Sequence, residues 1–245
     1  MRRRSFLAAA GAGLLTGCNR VAQSDQGKRL LKAAESWHLK AQRLISPPRL
    51  LAPEYSRADI SPVFRGNGST NPTNGAYPGH VADGFARWRL AVGGLVEHPL
   101  AFSLPELRAL PQRTQITRHD CVEGWSAIGE WTGPQLGLLL EAAGVLPAAR
   151  YILFRCADEL DGAMYYESID LADARHPQTI IAHMLNGAPL PVKNGAPLRL
   201  RVERQLGYKH AKYLTGIEAV ASLDGIGGGN GGHWEDRGYQ WYAGI

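Results

Sequence analysis

The sequence predicts an α+β fold in which many short strands combine with a few short helices. Segments of alternating apolar and polar residues recur along the chain, which is typical of half-buried strands. Apolar residues at helical spacing occur in only a few segments. The chain has 245 residues, of which 44% are hydrophobic and 20% are charged, as is typical of one globular domain. No run of about 18 apolar residues is present, so no transmembrane helix is predicted.

The N-terminus has the pattern of an export signal. The motif RRSFL at positions 3–7 is typical of twin-arginine signals, and the apolar run after it is too short to cross a bilayer. The motif LTGC at positions 15–18 resembles a bacterial lipobox, which predicts lipidation of Cys18; a secretory signal with a chance cysteine is the alternative. We therefore predict a signal peptide over residues 1–17 and a periplasmic protein with a lipid anchor at Cys18. Removing the signal lowers the formal net charge from +5 to +2, so nucleic-acid binding is not expected.

Two segments precede the first strand. Residues 28–45 are predicted to form a helix because apolar residues such as Leu30 and Trp37 recur at helical spacing, and a Pro-Pro pair ends it. Residues 46–85 are rich in Pro, Gly, Asn and Ser, which predicts a long loop that is functional or wraps the surface. We assign residues 18–60 to an anchor linker and this N-terminal helix.

Strand and helix patterns alternate from position 87 onward. Positions 87–92 predict a strand, and Ser103 with Glu106 predicts the capping box of a short helix. Positions 112–118 predict a strand that runs into Cys121.

The second half of the chain continues this alternation. Thr132 is predicted to cap a helix that runs through Leu136 and stops at Gly144. A hairpin is predicted around the Asn186-Gly187 turn. Further strands are predicted at positions 151–156, 164–169, 198–202 and 213–222.

The cysteines limit the possible metal and redox chemistry. The sequence has three cysteines, Cys18, Cys121 and Cys156, and no CxxC pair, which excludes a standard zinc knuckle or thioredoxin motif. It also has no CxxCH motif, which excludes attached c-type haem. In an oxidising compartment, a disulfide between Cys121 and Cys156 is an open alternative to any role in metal binding.

The segment HDCVEGWS at positions 119–126 places Cys121 just after a strand and before a glycine and a tryptophan. A thiolate selects soft or high-valent metals over magnesium or calcium. A single cysteine without partners at zinc spacing suits a metal that arrives inside an organic cofactor and needs one protein ligand. From spacing alone, a buried structural thiol is the better-supported alternative.

Three motifs together resemble a known family. The segments DCVEGWS at 120–126, NGAPLRL at 194–200 and GYKHAK at 207–212 resemble the sulfite oxidase family of molybdopterin oxidoreductases, and most of all its bacterial periplasmic methionine sulfoxide reductase branch. The resemblance runs from about Val63 to Ser222. It implies a sulfite-oxidase-type molybdopterin-binding fold over residues 61–245, with Cys121 as catalytic residue and molybdenum ligand.

The resemblance also implies where the Mo-molybdopterin cofactor is bound. The implied contacts are Gly66, Asn67, Cys156, Asn194, Arg199, Lys209, His210, Ala211 and Lys212. The cationic side chains would bind the cofactor phosphate, and the backbone N–H groups around His210 and Ala211 would form an anion nest. At Cys156 relatives can carry threonine, which leaves its role open. The alternatives are a simple turn at Gly66 and at Asn194, and solvated lysines.

By the same resemblance, the expected reaction is oxygen-atom transfer on a small sulfur or nitrogen oxide. Arg65 or Arg118 is a candidate for binding an anionic substrate, and His119 or Glu123 for moving protons; structural ion pairs are the alternative. No haem or flavin motif is present, so a membrane or periplasmic cytochrome is the expected electron partner. The chain has no room for the dimerisation domain of longer sulfite oxidases, so a monomer is expected. The substrate and the direction of electron flow stay open.

Two other functions remain open from the sequence. A cysteine hydrolase would use Cys121 as nucleophile with His119 or His210 as base. A lipid-anchored binding protein without redox activity would instead contain a disulfide between Cys121 and Cys156.

Overall fold

The computed structural model describes residues 24–45, 47 and 50–245, so the predicted signal and Cys18 lie outside the described residues. The described residues divide into two units, the first ending at residue 47 and the second beginning at residue 50. In the first unit, helix α1 (Asp25–Ile45) confirms the predicted N-terminal helix. No helix in the described part of the chain is long and apolar enough to span a bilayer.

The second unit combines eleven described strands with four short helices, which confirms the α+β prediction. The strands are β1 (Arg89–Gly94), β2 (Leu100–Ser103), β3 (Gln112–Cys121), β4 (Trp125–Pro134), β5 (Tyr151–Leu160), β6 (Ala163–Asp170), β7 (Ile180–Ala182), β8 (Met184–Leu185), β9 (Ala188–Pro189), β10 (Arg199–Arg201) and β11 (Leu214–Val220). The helices are α2 (Tyr77–Ala82), α3 (Leu104–Ala109), α4 (Leu136–Ala143) and α5 (Leu171–Ala174).

A five-stranded sheet with the order β2-β1-β11-β5-β6 carries the main core. Strands β1 and β11 pair in parallel, and the other neighbours are antiparallel. Phe154 of β5 and Ile217 of β11 lie opposite each other and are buried together with Leu139 and Leu140 of α4. Burying a side chain of this size contributes about 1.5–3 kcal/mol, so this layer holds the sheet against its helices.

A second, four-stranded sheet has the order β3-β4-β8-β9 and brings Cys121 to the end of a long hairpin. Strands β3 and β4 pair from Gln112 opposite Pro134 to Cys121 opposite Trp125. Alternate side chains of β3 are buried on one face, from Gln115 to Cys121. This regular alternation fixes the side of the hairpin on which the thiol lies.

The structure corrects two predictions of local structure. Thr132 is not a helix cap: it lies in β4, where its hydroxyl is 2.8 Å from that of Thr114 across the strand pair. Helix α4 instead begins after Gln135, and it ends at Gly144 with a positive φ of 67°, as predicted. The predicted loop over residues 46–85 contains the short helix α2.

Several local predictions are confirmed by hydrogen bonds or backbone geometry. The backbone N–H of Ser103 donates to Glu106 at 2.7 Å, and the Ser103 hydroxyl accepts from the Glu106 backbone N–H at 3.3 Å, which completes the capping box. Asn186 and Gly187 both have positive φ, 52° and 76°, as the tight hairpin between β8 and β9 requires.

Candidate active site

A pocket with about 580 Å³ of empty space, part of it open to solvent, lies at the end of β3. The predicted site residues that line it are Asn67, Cys121, Arg199, His210 and Lys212. These residues come from three separate sequence motifs and an upstream loop. The fold therefore brings distant parts of the chain into one site.

The Cys121 side chain is 8% exposed and forms part of the pocket wall. Both Cys121 and Cys156 are free thiols, so the disulfide that the sequence left open is not formed. Burial raises the pKa of the Cys121 thiol. The Asn67 side-chain amide donates to the Cys121 sulfur, with 3.6 Å between nitrogen and sulfur. Such a contact orients a sulfur ligand and tunes its basicity.

Two buried cations face the pocket. Burial and the neighbouring Arg201 lower the pKa of Arg199 to about 9. Burial and Arg199 lower the pKa of Lys212 to about 7. Both shifts mean that positive charge is held here in a dry environment next to like charge. An anionic group in the pocket would stabilise both cations.

Lys212 also fixes the loop that carries Asn67. Its ammonium donates to the backbone carbonyl of Asn67 at 2.6 Å and to that of Ser69. The Tyr213 hydroxyl donates to the same Ser69 carbonyl at 2.9 Å. The third motif therefore holds the upstream loop against Cys121.

A buried row of charged and aromatic groups lies behind the pocket. The Arg201 guanidinium is 4.4 Å from the centre of the Trp131 ring and forms a two-point ion pair with Glu203. It also lies 3.0 Å from Nδ1 of His119. Because arginine only donates, Nδ1 of His119 accepts, and the proton of the neutral ring is assigned to Nε2. That nitrogen lies beside Gly207, where an added Cβ would come within 2.5 Å of it.

These polar atoms fit an anionic cofactor with its own donors and acceptors. The Arg199 Nε, His119 Nε2 and His210 Nδ1 atoms are buried and have no hydrogen-bond partner among the described residues. Nε2 of His210 lies 3.0 Å from the Gln205 carbonyl, to which it donates, so its free Nδ1 is an acceptor. Buried polar atoms are normally paired, so the site fits a bound group that supplies the partners.

Five predicted contacts lie outside the pocket lining. The Lys209 ammonium is buried between Glu167 and Glu235, and Cys156 lies in the core beside a second cavity. Asn194 donates to the Arg65 carbonyl at 3.3 Å. The other two are Gly66, where an added Cβ would lie 2.8 Å from the Lys193 carbonyl, and Ala211, which is in the main core. Their contacts with the cofactor stay predictions.

The expected anion nest is corrected by the backbone hydrogen bonds. The N–H of His210 donates to the Gly207 carbonyl at 3.1 Å, and the N–H of Ala211 donates to the Lys209 carbonyl at 3.1 Å. Both donors are used within the chain, so neither is free to bind a phosphate oxygen in this conformation.

Of the four candidates for substrate and proton contacts, only Glu123 lines the pocket. Arg118 is bound to Asp120 at 3.0 Å and lies on the face of β3 opposite to Cys121. Arg65 is exposed, and it does not line the pocket. Glu123 does line the pocket, and it accepts a hydrogen bond from the Trp125 indole at 3.0 Å. His119 is buried behind the lining.

Sequence reasoning missed several residues of the pocket wall. They are Ser69, Asp158, Leu160 and Tyr165. Burial raises the pKa of Asp158 to about 6. Asp158 shares a strand face with Cys156, so its alternation in β5 was a signal that could have been used.

Comparison with known proteins identifies the family. Residues 75–223 match the family model described as the oxidoreductase molybdopterin binding domain. The chain belongs to this family. It is therefore a molybdopterin-dependent oxidoreductase with Mo-molybdopterin as its cofactor. When bound, this cofactor supplies a metal that exchanges an oxygen atom together with two electrons, and Cys121, Arg199 and Lys212 are the pocket residues suited to hold it.

Two relatives and one solved structure give the context of this family. The chain is 38% identical, over 99% of its own length and 87% of the relative, to the putative protein-methionine-sulfoxide reductase subunit YedZ1 of Azospira oryzae. It is 37% identical to the protein-methionine-sulfoxide reductase catalytic subunit MsrP of Xanthomonas axonopodis pv. citri, over 56% of this chain and 46% of that protein. Its fold is similar to that of the sulfane dehydrogenase SoxCD from Paracoccus pantotrophus, with a TM-score of 0.52 and 24% identity over 56% of this chain and 39% of that one.

Proposed function

We propose that this enzyme reduces an uncharged organic S-oxide, such as methionine sulfoxide, to the sulfide by oxygen-atom transfer outside the cytoplasm. The observation that carries the proposal is the free Cys121 thiol in the wall of a pocket that also holds the cations Arg199 and Lys212. The relatives named as methionine sulfoxide reductase subunits support this choice of substrate.

The charge around the pocket supports an uncharged substrate over an anion such as sulfite. Val122, Leu160 and Trp234 contribute apolar surface to the pocket, and Glu123 adds a carboxylate. Arg65 and Arg118 do not line the pocket, so neither adds positive charge there. Arg199 and Lys212 are assigned to the anionic cofactor, so an anionic substrate would meet the Glu123 carboxylate without a further arginine from these two positions to offset it.

Reduction of an S-oxide consumes two protons and two electrons and releases the sulfide and water. Glu123 is exposed to solvent and lines the pocket, and the Trp125 indole orients its carboxylate. It is therefore the better placed of the two proton candidates, because His119 is buried and burial lowers the pKa of its ring well below the usual range.

The hydrolase alternative is not supported by the surroundings of the thiol. Among the described residues, no histidine is hydrogen-bonded to Cys121, and burial raises rather than lowers the pKa of the thiol. A cysteine nucleophile needs an adjacent base or a lowered pKa.

We further propose a periplasmic location, a lipid anchor at Cys18 and a cytochrome electron partner. The twin-arginine and lipobox motifs support the first two, and the absence of a haem or flavin motif in the sequence supports the third. The word "subunit" in the name of the Azospira relative is consistent with a partner protein.

The test is a substrate panel with protein from cells that make the cofactor. We expect oxidation of a reduced viologen by methionine sulfoxide, little oxidation of sulfite with ferricyanide, and no activity in Cys121→Ser. Arg118→Gln is the matched control and should leave the rate unchanged within about twofold, because Arg118 faces away from the pocket. Faster turnover of sulfite than of any S-oxide would contradict the proposal.

A further inference from the structure

Helix α1 has one apolar face that is exposed to solvent. Leu30, Trp37 and Leu44 recur every seven residues, with Ala34 and Ala41 between them at helical spacing. The three large side chains are 75%, 72% and 86% exposed. A monomeric soluble protein rarely leaves such a contiguous face uncovered.

Basic residues border this face. Arg29 and Lys40 are eleven residues apart, so they lie in one row along the edge of the apolar face. The Lys40 ammonium is 5.6 Å from the centre of the Trp37 ring. Over α1, Lys and Arg outnumber Asp and Glu by five to two. The chemistry that matches apolar surface edged with positive charge is an anionic lipid surface.

We propose that α1 lies in the plane of an anionic membrane surface, with Leu30, Trp37 and Leu44 in the boundary between head groups and acyl chains. The helix does not qualify as a membrane span, which agrees with binding in the interface instead. Tryptophan is favoured at this depth because one edge of its ring is polar.

The position of α1 in the chain supports a lipid surface over a second copy of the chain as the occupant. The predicted lipidation site, Cys18, lies seven residues before Asp25. Seven extended residues reach at most about 25 Å. A lipid at Cys18 would therefore keep α1 close to the membrane. The inference extends the proposed location and does not depend on the proposed reaction.

The test uses the full mature chain with Cys18→Ser, so that binding does not come from the lipid. We expect it to co-sediment with vesicles of phosphatidylethanolamine and phosphatidylglycerol and to bind more weakly to phosphatidylcholine vesicles. Adding the anionic vesicles should shift the tryptophan emission to the blue, and a Trp37→Phe variant should lack this shift. Binding should weaken as salt is raised, because the basic row contributes to it.

Variants separate the contribution of the apolar face from that of the basic row along its edge. Leu30→Gln with Leu44→Gln should weaken partitioning by about tenfold or more, because both apolar side chains leave the acyl region. Arg29→Gln with Lys40→Gln should reduce the preference for phosphatidylglycerol. Met164→Gln, which replaces a 52% exposed apolar residue of the second unit, is the matched control and should bind as the parent does.

Three results would overturn the proposal, and the first two are absence of vesicle binding by the Cys18→Ser chain and equal binding by the double leucine variant. A concentration-dependent dimer that the leucine variant abolishes would assign the face to a second copy instead. Viologen oxidation measured on the same samples reports separately on the reaction, so a failure of either proposal is distinguishable from a failure of the other.

Discussion

Replacing Lys209 with methionine removes a buried positive charge that two carboxylates share. The Lys209 ammonium lies 2.5 Å from Glu167 and 2.5 Å from Glu235, and all three side chains are 0–1% exposed. Burial and the neighbouring Glu235 raise the pKa of Glu167 well above its usual range. In the native protein, the ammonium therefore stabilises at least one ionised carboxylate that has little contact with water.

The expected loss of stability follows from that burial. Removing one partner of a buried ion pair costs about 3–5 kcal/mol, because the other charge is left uncompensated. Glu235→Gln should cost less, about 1–3 kcal/mol, because Lys209 and Glu167 still form an ion pair with no net charge. In Lys209→Met, burial still raises the folded-state pKa of Glu167, so the stability that its protonated form gives at low pH is lost as pH rises. The variant should therefore be less destabilised at about pH 5 than at about pH 8.

Urea unfolding followed by tryptophan fluorescence measures these differences. Lys193→Met, at an exposed lysine, is the matched control and should change stability by about 0.5 kcal/mol or less. A Lys209→Met protein within about 1 kcal/mol of the parent would refute the reasoning. So would a Glu235→Gln variant that is as unstable as Lys209→Met.

Two further predictions concern the surroundings of the pocket. Gly207→Ala would place a Cβ 2.5 Å from Nε2 of His119, so we expect a loss of about 1–3 kcal/mol in the free energy of unfolding by urea, and less bound molybdenum. In the control Gly137→Ala, the Cβ would meet nothing closer than 4.0 Å, so this variant should be neutral or stabilising. Equal effects of the two substitutions would contradict the prediction. Burial lowers the pKa of His210 well below its usual range, so the folded state keeps it neutral while the unfolded state binds a proton. His210 should therefore contribute a fall in stability of about 1.4 kcal/mol per pH unit below about pH 6.5, and His210→Gln should reduce the total slope by about that amount. An unchanged slope in His210→Gln would contradict this prediction.

The sequence was sufficient to predict elements in which one local signal dominates. The capping box of Ser103 and Glu106 and the turn at Asn186-Gly187 each depend on residues that are close in the chain. Strand β4 was missed because its tertiary pairing with β3 outweighs local preference. Thr132, a residue favoured as a helix cap, is held in that strand pair instead.

The candidate site likewise combines residues that the sequence predicted with residues whose surroundings depend on tertiary contacts. The motif around Cys121 predicted this residue as the metal ligand by resemblance, and the structure places Asn67, Arg199 and Lys212 in the same pocket. The surroundings of Lys209 were not predictable, because its two carboxylate partners lie 42 and 26 positions away along the chain. A lysine in a binding motif is the same in sequence whether its ammonium faces a ligand or a buried carboxylate.

The most direct measurement of the central claim is X-ray absorption at the molybdenum edge, on protein isolated from cells that make the cofactor. If Cys121 binds the metal, Cys121→Ser loses one sulfur ligand relative to the parent, whereas Cys156→Ser keeps the parent's number. An unchanged sulfur count in Cys121→Ser, or a loss that appears only in Cys156→Ser, would contradict the assignment of Cys121 as the molybdenum ligand.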